Sequence, residues 1–306
     1  MDTLAIIFLA VVVLVNGAVL AYLFTDVFKK KELREPLKEK KGWINLSLAG
    51  LVTQFFDFMG IGSFATLTAW FKFTKAVPDN LIPGTLNTCT LFTLIVMNLG
   101  TITTIEVAPI TLIVSAACCG LGGFIGAGIV SKLNINAIRY AMGVALIIVA
   151  AIIVARQLGL MPGGGEATGL FGWKLAVLGV VAFILGSLMT IGIGMYAPMM
   201  ATVFLLGLSP LVAYPLFMGS AAIMQPFASY RFVREYKKTG KPLYDIKTII
   251  AVSLAGTVGV LIGLFIITSI PLDAIKWMVS GVLVITSITM FRSARKAKTQ
   301  PEAVAK

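Results

Sequence analysis

The sequence predicts an all-α, polytopic membrane protein made of two internally repeated halves. Three observations carry that prediction. Of 306 residues, 58% are hydrophobic and only 12% charged, and the mean hydropathy is +0.97, whereas a soluble domain carries about 25% charged residues. Apolar runs repeatedly exceed the ~18 residues that mark a membrane-crossing helix. The stretch Gly60-Ile61-Gly62-Ser63-Phe64-Ala65-Thr66 also returns 132 residues later as Gly192-Ile193-Gly194-Met195-Tyr196-Ala197-Pro198. At the same offset Pro78 meets Pro210, Pro83 meets Pro215, and Asn87-Thr88 meets Gly219-Ser220.

Residues 1–28 read as an extra N-terminal transmembrane helix. No basic segment precedes its apolar stretch and Lys29-Lys30-Lys31 follow it, which is not the order of a secretory signal. Residues 29–42 form a basic cytoplasmic linker with one or two helical turns around Pro36. The first repeat, residues 43–156, opens on an apolar run over 43–74 that is interrupted near Gly60 and Gly62. One straight helix of that length would reach about 48 Å against a hydrocarbon core of about 30 Å. The run is therefore either a bent crossing or a re-entrant hairpin of two half-helices. Full-length runs follow over 81–99, 107–130 and 137–155. Residues 157–172, with Gly163-Gly164-Gly165, read as a flexible connector. The second repeat, residues 173–292, restates the plan with a broken run over 173–206 and full runs over 211–229, 248–268 and 274–291. Residues 293–306 are a polar cytoplasmic tail.

Charge placement bears on the broken runs. Lys and Arg number 25 against 13 Asp and Glu, a net charge of +12. The basic residues sit beside apolar runs rather than among aromatics on a polar face, which points to membrane orientation and not to nucleic acid. With both broken runs re-entrant, 22 basic residues lie inside and 3 outside; with both crossing, the split is 20 to 5. The re-entrant arrangement obeys the positive-inside rule better. It also gives each half a hairpin plus three crossings, so the halves become inverted repeats, the usual architecture for alternating access. The N-terminus is then outside and the C-terminus cytoplasmic.

The chemistry is expected at the breaks. Gly-x-Gly frees backbone amides that lipid cannot satisfy, and each following half-helix presents its positive end to the break. Two such ends would hold an anion without a basic side chain. The candidate binding residues are Gly60, Gly62, Ser63, Thr66, Asn87, Thr88, Gly192, Gly194, Tyr196, Ser220 and Gln225, with Gln54, Thr68, Thr85 and Thr190 nearby. Asp57 is the carboxylate well inside an apolar run, either a proton-coupling group or a cap on a half-helix. Glycines at 120, 122, 123, 126 and 128, and at 256, 259 and 263, read as helix-packing seams. Asn45-Leu46-Ser47 is a glycosylation sequon in form only, since it begins a membrane run. The chain has no histidine, no Cys-x-x-Cys and no paired carboxylates, so we expect no metal, no cofactor and no enzymatic activity. Cys89, Cys118 and Cys119 read as small packing residues.

The motif Gly192-Ile193-Gly194 with Pro198, then Gly207-Leu208-Ser209-Pro210, Ala213 and Gly219-Ser220, resembles the repeated signature of the sulfite exporter (TauE/SafE-type) permeases. Gly60-Ile61-Gly62, Pro78 and Asn87-Thr88 resemble it more weakly. The resemblance covers residues 43–292. Ser63-Phe64 and Met195-Tyr196 stand where the family pattern continues with glycines, and Thr66 stands where it has a proline. The resemblance implies a permease of the bacterial or archaeal cytoplasmic membrane for sulfite, organosulfonates or related carboxylates. A passive anion channel of the same architecture and a non-transporting membrane subunit remain the alternatives, and the oligomeric state stays open.

Overall fold

The computed structural model describes residues 3–59, 62–101, 107–160, 165–192 and 194–266, with residues 284, 285, 287, 288, 291, 292 and 295 beyond them. The described residues are all-helical, and they hold only an isolated bridge between Ala167 and Leu208 in place of any strand. Five helices are long and apolar enough to cross a membrane, the mark of a multi-pass membrane protein. Their outer faces carry large apolar side chains in the open, such as Leu14 at 69% and Leu254 at 63% exposure. Lipid is the solvent that suits such a surface.

The N-terminal helix α1 (Thr3–Lys29) is followed by the short α2 (Lys31–Lys38), as the linker composition predicts. The first broken run is α3 (Trp43–Phe58) and α4 (Ser63–Thr74), about 24 and 18 Å long, so neither spans alone. Trp70 Nε1, late in α4, donates to Asn45 Oδ1, early in α3, at 3.0 Å. The run doubles back on itself as a helical hairpin. Next come α5 (Ile82–Cys89), α6 (Leu91–Thr101), α7 (Pro109–Val130) and α8 (Ile135–Gln157). The second broken run is α9 (Trp173–Met189) and α10 (Tyr196–Leu205). Lys174 Nζ donates to the Leu206 carbonyl at 3.0 Å, closing a second hairpin. The described chain continues with α11 (Pro210–Thr239) and α12 (Ile246–Ile266).

Three expectations are refined or corrected. The run over 81–99 is one span, Ile82–Gly100, with a single turn residue, Thr90, between α5 and α6; its hydroxyl meets the side-chain oxygen of Gln225. The described end of the connector is tied down rather than loose. Gly165 N donates to Leu208 O at 3.0 Å, Ser209 N to Ala167 O at 2.8 Å, and Ala108 N to Thr168 O at 3.0 Å. Gly163 and Gly164 lie outside the described residues. Third, α11 does not stop near Ser229 but continues to Thr239, so the loop before α12 is short. Arg231, Arg234, Glu235 and Lys237 are good helix formers, and Gly240, at φ +69°, ends the helix. The predicted run over 274–291 falls largely outside the described residues, although Ser287 Oγ donates to Gly143 O and Phe291 packs on Tyr140 at 5.9 Å.

Helix α11 carries Pro215 and Pro226 inside it. A proline has no N–H for the carbonyl four residues earlier, so Pro226 leaves the Ala222 oxygen without its helical donor. Asn16 Nδ2 on α1 supplies one, at 2.8 Å. Lower down, Lys237 Nζ lies 3.4 Å from the Tyr22 ring centroid and 3.8 Å from Asp26. The extra helix is thereby bound along α11.

Helix α3 packs along α12, and α9 along α7, with α7 also lying on α11. Glycines make these contacts, the predicted Gly122 and Gly259 and, beyond the prediction, Gly186. A Cβ at Gly122 would strike the Phe183 backbone, one at Gly186 the Cys119 backbone, and one at Gly259 the Leu51 backbone. The mouths of the two hairpins lie at different ends of α7. At its C-terminal end, Asn80, Lys132, Glu235 and Leu243 line one cavity of about 540 Å³. The first hairpin opens here: Asp79 holds Lys72 at 2.8 Å and Arg139 at 2.7 Å, and Lys247 Nζ reaches Lys41 O. At its N-terminal end, Leu170 N donates to Thr111 Oγ1 at 2.9 Å, and the Ala167–Leu208 contacts place the mouth of the second hairpin there.

Candidate functional site

The first hairpin tip turns at Gly62, whose φ of +90° lies in the region that glycine alone enters without strain. Its partner Gly60 lies outside the described residues. Asp57, on the last turn of α3, takes both donors of Ser63: the backbone N–H to Oδ1 at 2.9 Å and the hydroxyl to Oδ2 at 2.7 Å. The carboxylate therefore caps α4 and places its charge at the helix's positive end. Thr66 Oγ1 donates to the carbonyls of Ser63 and Gly62 at 3.0 and 3.1 Å. A hydroxyl has one proton to donate, so Ser63 and Thr66 hold theirs within the tip. The anion seat expected at α4 is already filled by Asp57.

The second tip differs. Gly192 has φ +102°, and a Cβ there would lie 3.3 Å from Thr68 Oγ1 and Leu86 Cδ1 and 3.4 Å from Met142 Cε. Asn87 Nδ2 donates to Pro83 O at 2.8 Å and reaches Thr190 O at 3.5 Å. The second tip thus rests on the flank of α4 and on α5. The second tip lies beside α4 rather than at its start, because Thr68 is about 9 Å along α4 from Gly62. Met195, the N-cap of α10, makes no side-chain cap, and Pro198 has no N–H to offer. A Cβ at Gly194 would meet open space. Tyr196, the first residue of α10, packs edge-on against Phe217 at 5.2 Å.

A buried polar band ties α5 to α11 and α12. Thr90 donates to Gln225, Ser229 Oγ to Asn87 O at 2.8 Å, and Ser253 Oγ to Cys89 O at 2.7 Å. Asn87 and Gln225 are therefore joined through the α5–α11 contact. Gln54 is fully buried beside Thr93 and Gly256. Two candidates fall away from the tips. Thr88 Oγ1 bonds back to Gly84 O at 2.8 Å, and Ser220 pairs with Ser115 on α7 at 2.7 Å. Sequence reasoning did not single out Thr90, Ser229, Ser253 or Asn16. The available signal was polar residues recurring at one-turn spacing inside apolar runs.

No protein-family model matches the chain, and no curated protein matches it.

Proposed function

We propose that the chain is a secondary transporter, a permease for small anions such as sulfite, organosulfonates or related carboxylates. Its setting in this reading is a bacterial or archaeal cytoplasmic membrane, with the N-terminus outside and the C-terminus inside. The carrying observation is the pair of closed helical hairpins, Asn45–Trp70 and Lys174–Leu206, whose mouths lie at different ends of α7. Hairpins that enter a bilayer from both faces supply irregular backbone where it lines a cavity. The reciprocal packing of α3 on α12 and α9 on α7 supports two inverted repeats, each donating its broken run to the other's straight helix. The start of α10, with Gly194 and Tyr196, is the anion seat in this reading. Gln225 and Asn87 line the band beside it. The sulfur oxyanion class comes from the motif resemblance at Gly192–Pro198.

Purified protein in liposomes should take up labelled sulfite, and Gly192→Leu should abolish that uptake while still inserting. No uptake of sulfite, sulfoacetate or malonate by folded wild-type protein would sink the reading. A passive facilitator is the second reading, favoured by the engagement of both Asp57 oxygens with Ser63. It predicts flux that never concentrates substrate, whatever the proton gradient.

A further inference from the structure

We infer that the cavity at the C-terminal end of α7 seats the phosphate of an anionic phospholipid headgroup, with an acyl chain lying along the open face of α7. It requires a chain embedded in a bilayer and is independent of the transport reading.

The cavity, about 540 Å³, lies within the size range of small-ligand sites. Asn80, residues 130–133, the last turns of α11 and residues 241–243 meet to form it. Val130 and Ile138 are its buried apolar part. Lys132 and Lys241, both exposed, bring positive charge to it.

The other polar groups of the cavity are already spent. Ser131 Oγ donates to Gly128 O at 3.1 Å, and Thr239 Oγ1 to Glu235 O at 2.9 Å. The Glu235 carboxylate faces Arg231 Nη2 at 4.0 Å, and Asp79, next to Asn80, holds Lys72 and Arg139. Among the described residues, the side chains of Lys132, Lys241 and Asn80 have no ion or hydrogen-bond partner. Two ammonium groups and an amide in one concavity, with no unpaired carboxylate among its lining residues, suit a phosphate.

What borders the cavity favours a lipid over a soluble phosphate. Leu121, Ile125 and Ile129 recur at one-turn spacing on α7 and are 56%, 48% and 58% exposed. They form a stripe about 12 Å long. Its last member is tied to the cavity, because Lys132 N donates to Ile129 O at 3.1 Å. An open apolar stripe on a membrane helix faces acyl chains, and this one ends at the cationic rim. A hydrocarbon chain followed by a phosphate matches that order.

The test titrates the purified full chain, in uncharged detergent, with dioleoylphosphatidylglycerol and with dioleoylphosphatidylcholine, reading thermal unfolding. The two lipids share their chains and differ in headgroup charge. Each lysine near a membrane surface favours an anionic headgroup about fivefold, so phosphatidylglycerol should half-saturate at a concentration about 25-fold lower. Lys132→Gln with Lys241→Gln should bring that ratio to within about threefold of one. Lys38→Gln with Lys40→Gln, an equal loss of charge from exposed linker residues, should keep it. Equal half-saturation by the two lipids on wild type overturns the inference. An equal loss of preference in both double variants also overturns it, by assigning the preference to diffuse surface charge. Glycerophosphoglycerol, the headgroup without chains, should leave unfolding unchanged where the lipid saturates. If it acts as well as the lipid, the cavity takes soluble phosphate esters and the lipid assignment falls. Where the Lys132 and Lys241 variant does not purify folded, the wild-type lipid ratio and glycerophosphoglycerol decide.

Discussion

Trp70 donates its indole N–H to the side-chain oxygen of Asn45 at 3.0 Å, across 25 residues of chain. In an unbroken helix those residues would stand about 37 Å apart. The contact is possible because the chain reverses between the end of α3 and the start of α4. Asn45→Cys combined with Trp70→Cys, in a background without the native cysteines, should cross-link with a short bismaleimide. Failure to cross-link in folded protein would mean that α3 and α4 do not form a hairpin.

Gly192 and Gly194 carry different loads. At φ +102° a Cβ on residue 192 would cost about 1–2 kcal/mol in backbone strain alone, and it would press on Thr68, Leu86 and Met142. Gly192→Ala should therefore lower the unfolding temperature, whereas Gly194→Ala should leave it near wild type. Equal unfolding temperatures for the two variants would contradict the tip geometry.

Asp57 holds Ser63 through both oxygens. Asp57→Ala should cost about 1–2 kcal/mol, the usual cost of removing a helix cap. Asp57→Asn should cost less, because its remaining oxygen still accepts the Ser63 N–H. In uptake, Asp57→Asn should flatten the pH dependence if the carboxylate couples transport to protons. An unchanged pH profile would confine Asp57 to capping α4.

Asn16 and Pro226 act on one carbonyl, Ala222 O. Asn16→Leu should destabilise by about 1–3 kcal/mol, because that buried oxygen loses its donor. Pro226→Ala restores the helical N–H, so in its presence Asn16→Leu should cost much less. Additive effects in thermal unfolding would show that the two residues are not coupled.

Much of this fold was legible in the sequence, and the reasons are local. Gly-x-Gly inside an apolar run marks a break because glycine frees the backbone where lipid cannot pair it, and α3, α4, α9 and α10 end and begin there. The N-terminal helix and the linker followed from hydropathy and the Lys29–Lys31 cluster. The direction of each half-helix after its break was favoured in the sequence only by the balance of basic residues, 22 to 3 against 20 to 5. It depends on Trp70 finding Asn45 and Lys174 finding Leu206, contacts that no periodicity encodes. The turn at Thr90 was hidden for the same reason, since its hydroxyl turns toward Gln225 on a distant helix. Of the expected site, the tips and Asn87 were placed by the repeat. Asp57 as the occupant of its own helix end was one of two readings; its bonds to Ser63 show the cap, and the pH profile tests the proton-coupling reading. The continuation of α11 was masked by its charged composition, which reads as loop beside a membrane run yet is strongly helix-forming.

The central claim is that each broken run enters and leaves on one side of the membrane, the two runs from opposite sides. Single exposed cysteines at Lys40→Cys, Lys75→Cys and Glu166→Cys, labelled in intact cells with an impermeant maleimide, test it most directly. The account predicts that positions 40 and 75 react only from the cytoplasm and position 166 only from outside. Position 166 reacting from the cytoplasm together with 40, and 75 from outside, would mean that both runs cross the bilayer, and would contradict the hairpin account.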